Sequence, residues 1–275
     1  MELASLLTFV DLLFPLGGIG VTAGMLIRRV STEEAAELPP PSLAEMAATV
    51  VALLATAVGP NILVVALTPG MPEMPALSKF ALVPSVVVLL GLLVISKLSN
   101  WPRLWNRIWT GIWVGAAATG TLDAVRLTGF SLGFMPGNMP RMFGVLILDT
   151  MAQGPSMLSD IVGYIYHYWA GACFGLTLAL LLGKTRWWAG VIWALIIEVG
   201  MMTTPPMVVA MDTGYFGSKT GPGLFIVSLT AHIVYGIFLG LLAQKYVSHK
   251  GNLFRLVLSM RRWQGTAISN AKTTG

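Results

Sequence analysis

The residues with the clearest capacity for chemistry are two histidines in matching surroundings. One stretch runs His167-Tyr-Trp-Ala-Gly171-Ala-Cys-Phe-Gly175, the other His232-Ile-Val-Tyr-Gly236-Ile-Phe-Leu-Gly240, and both read H-x3-G-x3-G. On an α-helix a step of four residues advances about 40° past a full turn, so each His shares a face with its two glycines. Both copies sit inside long apolar stretches. An ionisable group is costly to bury there and marks a functional site by default.

Two further apolar stretches carry one acid each on the same kind of face. Gly111, Gly115, Thr119 and Asp123 recur at steps of four, and so do Gly190, Ala194 and Glu198. Small faces are where membrane helices approach closely, so all four stripes are expected to face a common bundle interior. Counting along each helix puts His167, His232, Asp123 and Glu198 within roughly 6 Å of one level. Arg126, one turn beyond Asp123, is its expected charge partner.

Two neutral imidazoles can ligate haem iron axially, and glycines beside a His let a porphyrin approach the backbone. Two imidazoles with two carboxylates can instead hold Zn, Fe or Mn. The leading expectation is therefore an intramembrane site for haem b or a transition metal. His167 and His232 are its ligands, with Gly171 and Gly236 beside them. Asp123 and Glu198 are ligands, neighbours or proton acceptors. The same groups could relay protons in a transporter. The plainer reading is that they staple helices, but isolated interhelical hydrogen bonds contribute only about 0.6 kcal/mol each. That does not account for two acids and two imidazoles at one depth. No G-x-S-x-G or H-E-x-x-H is present, so no enzymatic reaction is nominated. Met71, Met74, Met135, Met139, Met142, Met207 and Met211 fall near one side, and thioethers select Cu(I); Met is also an ordinary gap-filler.

The elements that must position these groups are membrane helices. Only 11% of the 275 residues are charged, against roughly 25% in soluble domains, and 55% are hydrophobic. A single cysteine, Cys173, leaves no disulfide framework. Seven segments approach or exceed the about 20 apolar residues a span needs: 3–27, 43–67, 80–96, 108–130, 157–182, 187–209 and 224–243. Pro60-Asn61 is expected to kink or break the second. The third is the shortest, and Thr203-Thr204-Pro205-Pro206 should break the sixth near its end. With seven spans and the C-terminus cytoplasmic, 13 of the 17 basic residues fall on the cytoplasmic side. Lys79, Arg141 and Lys219 fall opposite, which sets the N-terminus outside. The net charge of +5 thus follows membrane topology and does not point to nucleic acid.

The predicted fold is an all-α polytopic bundle. Residues 1–98 form a three-helix membrane segment, 99–246 a four-helix core with a polar layer, and 247–275 a basic cytoplasmic tail. The tail carries Arg261, Arg262 and Lys272 and an amphipathic run to Trp263, expected to lie on anionic lipids; His249 within it is expected to be solvated. The apolar run 142–151, interrupted by Asp149, is expected to be interfacial or re-entrant. Trp101, Trp105, Trp109, Trp113, Trp187 and Trp188 read as interfacial anchors. Gly17-Gly18-Ile19-Gly20 is too short for a dinucleotide fingerprint.

Gly120-Thr121-Leu122-Asp123, Pro140-Arg141-Met142-Phe143-Gly144, His167-Tyr168-x-x-Gly171 and His232-x-x-x-Gly236 carry a resemblance over 115–246 to a family of bacterial multi-pass inner-membrane proteins of unknown function. The resemblance implies a bacterial inner-membrane location and weight on Asp123, Arg141, His167 and His232. It brings no activity with it. The chain departs from the pattern in its three extra N-terminal helices and in lacking the extra His and acidic residues that the family pattern would place between Arg141 and His167. The alternative functions are an accessory subunit of a larger membrane complex and a proton-coupled transporter.

Overall fold

A computed structural model of the chain describes residues 7–30 and 38–260, apart from the side chains of Pro206, Met207 and Ala210. The basic tail residues Arg261, Arg262 and Lys272, with Trp263, lie outside the described residues. Among the described residues every regular element is helical.

Helix α1 (Phe9–Ile27) starts in a capping box. The Thr8 hydroxyl accepts from the Asp11 N–H, and the Asp11 carboxylate accepts from the Thr8 N–H. Helix α2 (Leu43–Ala66) begins at Ser42, whose hydroxyl accepts from the Glu45 N–H. The expected break at Pro60-Asn61 does not occur, because nearby carbonyls receive side-chain donors. Asn61 Nδ2 donates to the Ala57 carbonyl at 2.7 Å, and the Tyr166 hydroxyl to that of Gly59 at 3.0 Å. Helix α3 (Met74–Leu98) is longer than expected. It absorbs Pro84 through a π-helical stretch, Ser78–Leu82, closed by the Val83 N–H bonding to the Ser78 carbonyl.

Helix α4 (Pro102–Ser131) is the axis of the bundle, packed by α1 and α3. The apolar run after it folds as the short helix α5 (Met139–Ile147), which lies on α6 (Met157–Leu182). Next come α7 (Trp187–Thr203), the predicted break, α8 (Pro205–Ala210) and α9 (Pro222–Tyr246). Residues 253–260 are helical again.

Five of these helices are long and apolar enough to cross a membrane: α1, α2, α3, α6 and α9. The expected seven counted two more, which fall short for different reasons. Helix α7 is apolar but has 17 residues. Helix α4 is long but carries Arg103, Arg107, Asp123 and Arg126. The first three are buried against protein, which removes their cost in lipid.

The long helices alternate in direction. At one end Lys245 and Tyr246 bond to the carbonyl of Met25, Arg103 pairs with Glu45, and Arg107 bonds to the carbonyls of Leu180 and Gly251. This is the basic end; α5 marks the other. His249 is half-buried at the basic end, where its carbonyl accepts from Lys184 N–H at 2.9 Å, so the expected full solvation does not hold. The three N-terminal helices flank the core on two sides. Helix α1 packs on α4, with Gly18 against Gly120, and α2 packs on α3 and α6.

Candidate functional site

The four small-residue stripes pair two by two. On α4 and α6, a Cβ on Gly111 would lie 2.6 Å from Leu176 Cα, and one on Gly175 would lie 2.5 Å from Gly115 Cα. On α7 and α9, a Cβ on Gly190 would lie 2.6 Å from Gly240 Cα, and one on Gly236 would lie 2.7 Å from Val191 Cα. Both pairs are antiparallel, so the acid that ends one stripe meets the His that begins the other. Asp123 Oδ1 lies 2.8 Å from His167 Nε2, and Glu198 Oε2 lies 2.8 Å from His232 Nδ1. The chain thus contains the same two-helix unit twice, each ending in an imidazole–carboxylate dyad.

The hydrogen bonds assign roles to the ring atoms. His232 Nδ1 faces both Glu198 Oε2 and the Ser228 carbonyl, the latter at 2.9 Å, and the Ser228 hydroxyl donates to Glu198 Oε2 at 2.8 Å. Two acceptors require Nδ1 to carry the proton, leaving Nε2 free. On His167 the carboxylate takes Nε2 and leaves Nδ1. Each acid keeps one buried oxygen with no hydrogen-bond partner among the described residues: Asp123 Oδ2 and Glu198 Oε1. Such an oxygen loses its hydration without compensation, at a cost of about 1–3 kcal/mol or more for a charged group.

Both histidines line one cavity of about 270 Å³ between α2, α4, α6, α7 and α9, which Arg126 also lines. The expected Arg126–Asp123 pair does not form; the carboxylate is turned to His167. Arg126 lies within electrostatic reach of Asp123 and Glu198, yet it makes no hydrogen bond and no ion pair within 4.0 Å among the described residues. It also lines a second void of about 40 Å³ and a third of about 10 Å³. The third, bounded by Asp123, Asn138 and Tyr164 as well, is the size of one water.

Arg141 belongs elsewhere. It pairs with Asp11, which is fully buried, and its Nε lies 3.5 Å from Asp160 Oδ2. Asp11 further accepts from Asn138 at 2.7 Å and from the Tyr164 hydroxyl at 3.0 Å. Sequence reasoning singled out neither Asp11 nor Asp160. Asp11 is the only acid in the first apolar segment, and that signal was sufficient to find it. Of the methionines near that side, Met71 is exposed, the side chain of Met207 lies outside the described residues, and the others pack among apolar groups. Met74 and Met139 are buried in one cluster with Phe143 and Tyr166, and Met135, Met139, Met201, Met202 and Met211 line the 40 Å³ void.

The architecture and the apolar helices define a multi-pass helical membrane protein with a mostly apolar cavity in its core that Arg126 and two histidines also line. Comparison with family profiles, curated proteins and solved structures gives no match.

Proposed function

We propose that this is a seven-span membrane carrier, N-terminus outside, whose central cavity binds an anionic group on Arg126 while the two imidazole–carboxylate dyads take up protons. The observation that carries this reading is the Arg126 guanidinium, unpartnered among the described residues, lining the cavity that both dyad histidines line. A guanidinium removed from bulk water needs acceptors, and its planar fork matches a carboxylate or phosphate in two parallel bonds. With neutral imidazoles the two carboxylates and the guanidinium sum to one negative charge. With both imidazoles protonated the sum is one positive charge. An anion therefore favours the protonated state, and binding draws protons in. The other titratable groups on the walls are Tyr166 and Tyr235, whose hydroxyls are committed to the carbonyls of Gly59 and Gly171. The third void, beside Tyr164, offers a place for one water toward the α5 end.

The metal reading has less support. Among the described residues no group of three or more His, Cys, Asp and Glu side chains could hold a metal ion. One nitrogen of each ring is already committed to a carboxylate. A porphyrin is also large for 270 Å³, below the roughly 300–1,000 Å³ of pockets that enclose drug-sized ligands. As for an accessory subunit, the small-residue stripes that could serve helix-mediated assembly are covered within the chain.

The test is proton uptake by the purified, weakly buffered protein on addition of neutralised hexanoate or palmitate, followed with a pH indicator. Uptake in the wild type and its loss in Arg126→Gln is the expected result. Equal uptake in both, or none with either carboxylate, overturns the reading. Elemental analysis and a visible spectrum on the same samples check the metal alternative. A stoichiometric metal or a Soret band lost in the His167→Ala, His232→Ala double variant would replace the carrier reading.

A further inference from the structure

The cavity has a wall on the side between α2 and α7. Its side wall is formed by Pro60, Asn61 and Val64 of α2 and by Ile197, Gly200 and Met201 of α7. These two helices share little interface: α2 packs mainly on α3 and α6, and α7 on α9, while α2 meets α8 and Met201 of α7 packs against the apolar cluster of Ile62 and Leu63. Asn61 and Gly200 are both exposed, although each lies within an apolar helix. The gap between α2 and α7 therefore faces the hydrocarbon of the bilayer. Apart from Arg126, the two histidines and the committed tyrosines, the lining is mostly apolar, including Leu63, Leu122 and Phe174.

We infer that the ligand is a monoanionic amphiphile drawn sideways from the bilayer between α2 and α7, its acid head on Arg126 and its chain between Asn61 and Gly200. The inference rests on the reading of Arg126 as an anion site and adds the class of anion and its route. One unpaired positive charge matches one negative charge on the head. A volume of about 270 Å³ holds a head group and the first part of a chain, and the remaining methylenes stay in lipid at no cost. A water-soluble anion has no use for an apolar wall or for a side opening onto hydrocarbon. Asn61 donates one amide hydrogen to Ala57.

The geometry supplies a clean obstruction. A Cβ on Gly200 would meet nothing within 4 Å, so Gly200→Phe fills the opening without displacing a packed neighbour. The experiment measures radiolabelled palmitate binding to the full chain in detergent, with unlabelled hexadecanol, acetate and phosphatidylglycerol as competitors. Palmitate should bind, hexadecanol should compete more weakly, and acetate in large excess should not compete. Arg126→Gln should weaken palmitate about ten- to a hundredfold, the range for losing a charged hydrogen bond, and leave hexadecanol unchanged. Arg126→Lys should recover part of that loss. Gly200→Phe should weaken palmitate with Arg126 intact. Competition by phosphatidylglycerol identifies a phospholipid phosphodiester as the source, and its absence identifies a free long-chain carboxylate. If acetate competes as well as palmitate and Gly200→Phe changes nothing, the site opens to water: the lateral route fails while the anion site stands. If no anion binds, or Arg126→Gln binds palmitate unchanged, both fail.

Discussion

Gly190 of α7 and Gly240 of α9 leave no space between their backbones: a Cβ on Gly190 would stand 2.6 Å from Gly240 Cα. That contact, with Gly236 against Val191 one turn along, sets how far apart the two helices run. It therefore sets the 2.8 Å between Glu198 and His232. Gly236→Leu should push the helices apart and break the dyad together with the packing. Overpacking of this kind costs about 1–3 kcal/mol, read as a lower melting temperature in detergent. Gly91→Leu on α3, where a Cβ meets nothing within 4 Å, should leave the melting temperature nearly unchanged. Equal effects of the two substitutions would show that the stripe does not fix the spacing.

The two dyads allow charge to be separated from hydrogen bonding. In Glu198→Gln the amide oxygen can replace Oε2 toward His232 and Ser228, and the amide nitrogen takes the place of the unpartnered Oε1. Stability should change by less than about 1 kcal/mol, while carboxylate-driven proton uptake falls by roughly half as one dyad of two is silenced. Glu198→Ala strands the Ser228 hydroxyl, leaves the His232 N–H only the Ser228 carbonyl, and should cost about 1–3 kcal/mol. Thermal unfolding and proton uptake on both variants separate the two effects.

Asp11 and Asp160 both touch Arg141, but unequally. Asp11 takes the paired guanidinium contact and also accepts from Asn138, Tyr164 and Thr8. Asp160 meets Arg141 at 3.5 Å, accepts from the Thr8 hydroxyl at 3.4 Å and keeps one unpartnered oxygen. Removing one partner of a buried pair costs about 3–5 kcal/mol, so Asp11→Asn should lower the melting temperature far more than Asp160→Asn. The reverse order would mean that Asp160 is the principal counter-ion.

His249 gives the clearest expectation for pH. Partial burial, and then the charges of Arg103 and Arg107, hold its imidazole below the usual value of 6.5. The native state thus resists a proton that the unfolded chain accepts, so stability is full above about 6.5 and declines as the pH falls below it. The His249 C2–H resonance should titrate with a midpoint under 6.5. His249→Gln should flatten the acid side of a melting-temperature profile; a midpoint above 6.5 would overturn the assignment.

Much of the bundle is written locally. The span 157–182 is legible from hydropathy because lipid rewards an unbroken apolar run whatever surrounds it. So is the break after Thr203, since Pro205 cannot continue the ladder. The dyads were half legible: a step of four places Asp123 and His167 on the small faces of their helices, yet nothing in the spacing says which stripe meets which. Only the tertiary structure paired α4 with α6 and α7 with α9, because close approach depends on two surfaces fitting together and not on one helix. The same reason explains Arg126 and Arg141. Proximity in sequence suggested Asp123 as the partner of Arg126, but His167, 44 residues away, holds that carboxylate. Arg141 found Asp11 130 residues away. The type and register of each polar group followed from its own helix, whereas its partner, and the cavity left around the arginine without one, were decided by how the helices pack.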